Sequence, residues 1–237
     1  MAQTLSSIAN RQSKVTEQTK AETNHFLDYC RTHPDARVRF IASDMILTLH
    51  SDGSYNSEPG SKSRAAGHWY LSNKGNHNLS NGAIMTLSKI INFLMSSAGE
   101  TEAATAYLNC KAALPLRIAL EEMGHPQPPT PLCTDNNTAN GIINGIFKQD
   151  RSKAIDMRFY WLVDRVQQGQ FNVCWDSGKK NLADHFTKHH PPTHHKQVRP
   201  ICAHSKDSPR SFQGCVERLG RLARAGSNCH APAAPAA

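Results

Sequence analysis

The run MILTLH, residues 45–50, does most to restrict what this 237-residue chain can fold into. It is short, continuous and apolar, the pattern of a strand covered on both faces. It ends abruptly in Ser51-Asp52-Gly53-Ser54, where acid, glycine and hydroxyl come together. Asp-Gly is a strong hairpin signal, so Asp52 reads first as a turn residue at the end of that strand. The carboxyl end of a central strand is also where open α/β sheets gather their chemistry.

The remaining elements build around that strand. HWYLSN (68–73) reads as a second strand after the turn-rich YNSEPGSKSRAAG, and AIMTLSKIINFLMSS (83–97) as a third strand region. From about Glu100 to Met123 the sequence is helical in character, with Pro115 as an expected kink and Gly124 as a C-cap. TPLC (130–133) is a brief fourth strand that meets Thr134-Asp135-Asn136. Ala139, Ile142, Ile143, Ile146 and Phe147 then share one helical face, and Ile155, Phe159, Leu162, Val163 and Val166 another. FNVCW alternates as a fifth strand, and SGKKNLADHFTK begins a short last helix. The order predicts an α/β fold with a five-stranded mixed sheet flanked by helices. Three strands run antiparallel, and two more, reached by helical crossovers, lie parallel to the first.

Residues 1–43 are polar and mainly helical in pattern, with a helix closed by His33-Pro34. Residues 44–199 carry the sheet, and residues 200–237 form a basic, weakly ordered tail ending in alanine and proline. A net charge of +8, with thirteen histidines besides, points toward a polyanionic partner. Seven cysteines without a C-x-x-C pair argue against a zinc ribbon and a disulfide scaffold. The first residues lack a signal-peptide core, and the longest apolar stretch, IINFLM, is too short to span a bilayer. The expectation is a soluble intracellular protein with no membrane partner, in cytoplasmic particles or the nucleus.

Four acids fall at the chemical ends of these elements. Asp52 ends the first strand, Glu102 sits in the first turn of the long helix, Asp135 ends the fourth strand and Asp184 starts the last helix. Each has a bland alternative as a turn, cap or surface charge. Brought together, four carboxylates would repel one another and raise their own pKa values. Hard divalent cations relieve that repulsion, which suits two Mg²⁺ ions, with Mn²⁺ as a substitute, in phosphodiester hydrolysis. Glu100 is the alternative second acid.

The ordered pieces IASDMILTLHSDGSY, SRAAGHWYL, SSAGETEAATA, CTDNNTA, KAIDMRFYWLVDRVQQGQF and NLADHFTKHHP resemble the ribonuclease H domain that ends copia-type LTR-retrotransposon polyproteins. LSSIANRQSKVTEQT and HFLDYCRTHPDA resemble part of the preceding reverse-transcriptase connection, so the resemblance covers roughly residues 1–199. It implies a ribonuclease H-like fold and an endoribonuclease that cleaves the RNA strand of RNA–DNA hybrids. It places the acidic, metal-holding quartet on Asp52, Glu102, Asp135 and Asp184, and suggests the polymerase part of a retroelement reverse transcriptase as a partner. The loop DSGKKN before the last acid has no histidine, so no proton-shuttling histidine is assigned.

Substrate contacts are expected from Gly53, Ser54 and Asn136, with Lys62, Arg64, Lys148, Arg151 and Lys153 tracking phosphates. Each of these cations could equally be a solvated surface charge. The run HHPPTHH (189–195) is read as an extended basic linker in preference to a metal site. No Tyr-x-Asp-Asp polymerase motif is present. A second functional reading stays open: a decayed, non-catalytic retroelement fragment that at most binds nucleic acid.

Overall fold

A computed structural model describes residues 1–75, 81–144 and 157–203. Lys148, Arg151, Lys153 and the tail from residue 204 lie outside the described residues, which belong to one compact unit. The sheet comprises β1 (Ile46–Glu58), β2 (Lys62–Ser72), β3 (Ala83–Ile90), β4 (Thr130–Thr134) and β5 (Phe171–Trp175), in the order β3-β2-β1-β4-β5. β1–β2 and β2–β3 are antiparallel, while β1–β4 and β4–β5 are parallel. This is the five-stranded mixed sheet flanked by helices that the apolar pattern predicts.

The helices are α1 (Ala2–Asn10), α2 (Glu17–Thr32), α3 (Ala98–Glu122), α4 (Asn137–Ile143), α5 (Met157–Gln167) and α6 (Pro192–Cys202), with a 3-10 helix at Leu182–Phe186. Leu47 and Leu49 of β1 and Trp69 of β2 are fully buried, and α3 covers them with Ala106, Cys110 and Ala113. Small residues on that face of α3 let the helix lie close to the sheet. At Gly67 a Cβ would come within 2.3 Å of Asn109 Oδ1 and 2.4 Å of the Trp69 ring, so only glycine fits. Pro115 sits inside α3 but on its exposed side, where water can satisfy the carbonyl left without a partner.

Local expectations were overridden in four places. β1 does not end at Asp52: Asp52 and Gly53 stay paired with Ala66 and Ala65, and the chain reverses at Gly60 and Ser61, both with positive φ. Gly53 stays extended because a cross-strand partner is available, so the Asp-Gly turn signal is not used. The third strand stops at Ile90, not at residue 97. Ile91 and Met95 are apolar because they pack beside Ala65 in a small separate cluster. The run HHPPTHH is not extended throughout, since Pro192 takes the first turn of α6, where a missing N–H costs nothing. Finally, Arg64 is fully buried, pairing with Glu58 Oε1 at 2.6 Å and donating to Ser88 Oγ and Ser7 Oγ, both at 3.0 Å. It ties α1 to the sheet. Among the described residues no helix is long and apolar enough to cross a membrane.

Candidate functional site

The register of the parallel pair β1–β4 builds the site. His50 pairs with Cys133, so Asp52 and Asp135 stand side by side two residues further along neighbouring strands. α3 crosses above them, and its second turn delivers Glu102, whose Oε1 accepts the Gly53 N–H at 3.1 Å. One carboxylate oxygen from each of Asp52, Glu102 and Asp135 lies within 4.8 Å of the others. Three residues separated by 50 and 33 positions in the chain therefore converge through the sheet and its covering helix.

Glu100 is oriented differently. Its carboxylate turns back to the Ser96 N–H at 2.6 Å, while its own N–H donates to the Ser97 hydroxyl at the start of α3. That is a capping arrangement, and it spends Glu100 on the helix terminus. Glu102, one half-turn later, faces the acids.

Asp184 lies outside the triplet. The 3-10 helix holds it at the rim, where Lys188 Nζ pairs with it at 2.7 Å and its side chain stays 22% exposed. Asn181 caps that helix and donates to Ser51 O at 2.8 Å, fastening it to β1. Thr187 donates to Asp52 Oδ2 at 2.6 Å. Sequence reasoning assigned no role to Asn181, Thr187 or Lys188, although all three sit in the quoted stretch around NLADHFTK. The loop before it passes close to the site: a Cβ at Gly178 would lie 2.7 Å from Asp135 Oδ2.

Burial dominates the electrostatics. It pushes the Glu102 carboxyl up to about 9, with the neighbouring Asp52 charge adding to the rise and the Gly53 N–H opposing it. Burial likewise raises Asp52 to about 6, opposed by the Thr187 hydroxyl and reinforced by the Asp184 and Asp135 charges. Glu102 Oε2 is buried without a hydrogen-bond partner. An all-oxygen donor set under mutual repulsion, with one orphaned carboxylate oxygen, fits a hard divalent cation.

The expected substrate contacts fare unevenly. Lys62 is exposed at the start of β2, and Ser54 is half-buried two residues past Asp52. The Asn136 side chain caps α4 by accepting the Ala139 N–H at 3.0 Å. The Gly53 N–H is taken by Glu102, and a Cβ there would meet Thr105 Oγ1 at 2.9 Å, so the close approach at this glycine is α3. Arg64 is withdrawn into the ion pair with Glu58 and is fully buried.

No protein-family model matches the chain. Among curated proteins it is similar to the retrovirus-related Pol polyprotein from transposon TNT 1-94 of Nicotiana tabacum. Identity is 26% over 162 residues, covering 68% of this chain and 12% of the polyprotein. The chain resembles a short stretch of a retrotransposon polyprotein. Among solved structures, 60% of the chain aligns with 91% of the N-terminal RNase H domain of a Mycobacterium tuberculosis protein, at 12% identity and a TM-score of 0.44. The same share aligns with 93% of LC11-RNase H1 in complex with an RNA/DNA hybrid, at 11% identity and a TM-score of 0.44. It also aligns with 20% of the prototype foamy virus protease–reverse transcriptase, at 15% identity and a TM-score of 0.39.

Proposed function

We propose that this chain is a retroelement ribonuclease H, of copia type, that hydrolyses the RNA strand of RNA–DNA hybrids. Residues 1–43 would be a remnant of the reverse-transcriptase connection and residues 44–199 the nuclease. The observation that carries this reading is the convergence of buried Asp52, Glu102 and Asp135 on one point, with Asp184 at its rim.

These four carboxylates would hold two Mg²⁺ ions, with Mn²⁺ as a substitute, which supply an activated water and charge stabilisation for phosphodiester hydrolysis. The chain's own residues do the positioning. Thr187 fixes the orientation of Asp52, and Lys188 pairs with Asp184 at the rim, where it would balance that carboxylate's charge. The Gly53 N–H sets one oxygen of Glu102 and leaves the other unengaged. A net charge of +8 draws in a polyanion, and the exposed Lys62 and the half-buried Ser54 are candidates for backbone contacts. Discrimination of RNA from DNA would come from 2′-hydroxyl contacts across the wide minor groove of the hybrid. The polymerase part of the same polyprotein is the proposed protein partner.

The test is cleavage of a strand-labelled RNA–DNA hybrid with Mg²⁺, with Mn²⁺ and with EDTA. The RNA strand should be cut with either metal and with neither strand cut in EDTA, and duplex DNA should survive. A folded protein that is inert with both metals would leave only the binding-fragment reading.

A further inference from the structure

The segment leading into α6 carries the spacing His185-x₄-His190-x₃-His194, which the acidic site does not use. Pro191 is extended and Pro192 opens α6, and this turn brings His194 back over the two earlier histidines. The His190 and His194 rings stack with centroids 3.9 Å apart, and each lies 5.7 Å from the His185 ring. One nitrogen from each ring lies within 4.8 Å of the others.

Hydrogen bonding does not account for this cluster. His185 Nδ1 and His194 Nε2 are buried and have no partner, at a cost of about 1–3 kcal/mol for each group left unsatisfied. The neighbouring histidines differ. His189 Nε2 meets Gln3 Nε2 at 3.0 Å, and His195 Nε2 meets the Tyr29 hydroxyl at 2.7 Å. His190 Nε2 faces the Asp184 carbonyl at 2.9 Å. With the proton on Nε2, that bond fixes the tautomer and leaves the Nδ1 lone pair free, the usual support for a metal-ligating histidine.

We propose that His185, His190 and His194 form a binding site for one divalent cation of the zinc class, chemically separate from the oxygen-only acidic cluster. Three imidazoles select borderline metals over Mg²⁺ and leave a fourth position for water. A cleft of about 240 Å³ lined by Gly178, Asn181, His185 and His194 gives access. Metal–nitrogen bonds of about 2.0–2.1 Å place tetrahedral ligands roughly 3.4 Å apart, so the nitrogens need close by no more than about 1.4 Å as the rings turn their edges inward. A bound ion would clamp α6 to the 3-10 helix that carries Asp184. The proposal rests on this segment and does not depend on the chain being a nuclease.

The experiment uses tag-free full-length chain, stripped with chelator and titrated with Co²⁺ in excess Mg²⁺. The intense visible absorption of tetrahedral Co²⁺ should appear, saturate at a single equivalent and be displaced by Zn²⁺. His190→Gln and His194→Gln should each weaken Co²⁺ binding at least about tenfold. His189→Gln and Asp52→Asn should leave the spectrum unchanged. Absence of the tetrahedral spectrum in wild type, or its survival in the folded double variant His190→Gln/His194→Gln, overturns the proposal.

Discussion

The acidic triplet and the histidine triplet flank the same 3-10 helix, yet they are assembled in opposite ways. Asp52, Glu102 and Asp135 come from β1, α3 and β4, and only strand register and helix packing bring them together. His185, His190 and His194 lie within ten residues on a half-buried terminal segment, where one proline-initiated helix turn suffices. A site on rigid, distant elements holds repelling charges in place against their preference. A site on one local segment can adjust its rings but holds no such strain. Both contain buried polar atoms without partners, Glu102 Oε2 in one and two ring nitrogens in the other. Their donor sets point to different classes of cation.

The largest expected effect separates the two sites. Asp52→Asn should lower hybrid cleavage on the order of 10³-fold or more, because the proposed metal site then loses one of its carboxylate ligands. Cobalt absorption at the histidines should be untouched in the same sample. Loss of both together would mean that the sites are not independent.

Next comes Thr187→Val, which removes the 2.6 Å hydrogen bond to Asp52 while keeping the volume. A bond to a charged group contributes about 1.5–3 kcal/mol, so turnover should fall roughly ten- to hundredfold at saturating Mg²⁺. Unchanged turnover would remove Thr187 from the site's support.

Stability against pH probes the strain itself. Folded Glu102 and Asp52 titrate near 9 and 6, above their ordinary values near 4.5 and 3.8. The folded state therefore keeps protons that the unfolded state gives up, and metal-free stability is lost as pH rises from about 4 to 9. Glu102→Gln should thus match wild type near pH 4 and exceed it at pH 8 by several kcal/mol, at about 1.4 kcal/mol for each pH unit above the ordinary value, which is roughly 10 °C or more in melting temperature. Added Mg²⁺ should shrink the difference. Identical melting of the two metal-free proteins at pH 8 would show that the cluster stores no repulsion.

The smallest effect is at the rim. Lys188 is 54% exposed, so losing its pair with Asp184 in Lys188→Met should change stability by less than about 1 kcal/mol. A larger change would place Asp184 deeper in the structural core than its exposure indicates.

Much of the architecture was legible because its signals are local. The continuous run through Leu47 and Leu49 marked the central strand, and the acids after MILTLH and TPLC marked the ends of two strands that lie side by side. Glu100 and Glu102 both suit a second acid by sequence position, and the capping role of Glu100 explains why both occur so close together. What stayed hidden depends on partners distant in sequence. Gly53 looked like a turn because cross-strand pairing to Ala65 is invisible in a local motif. Arg64 looked like a phosphate contact because its charge is visible, whereas Ser7, 57 positions earlier, is not obviously its neighbour. The histidine run looked extended because its prolines signal interruption, though proline is equally at home in the first turn of a helix.

The most direct measurement is a paired cleavage assay of Glu102→Gln and Glu100→Gln on a labelled RNA–DNA hybrid with Mg²⁺. Both proteins should be folded, Glu102→Gln should lose cleavage, and Glu100→Gln should cut near the wild-type rate while melting at a slightly lower temperature. Full activity in Glu102→Gln, or loss confined to Glu100→Gln, would contradict the assignment of the buried acidic cluster as the hydrolytic centre.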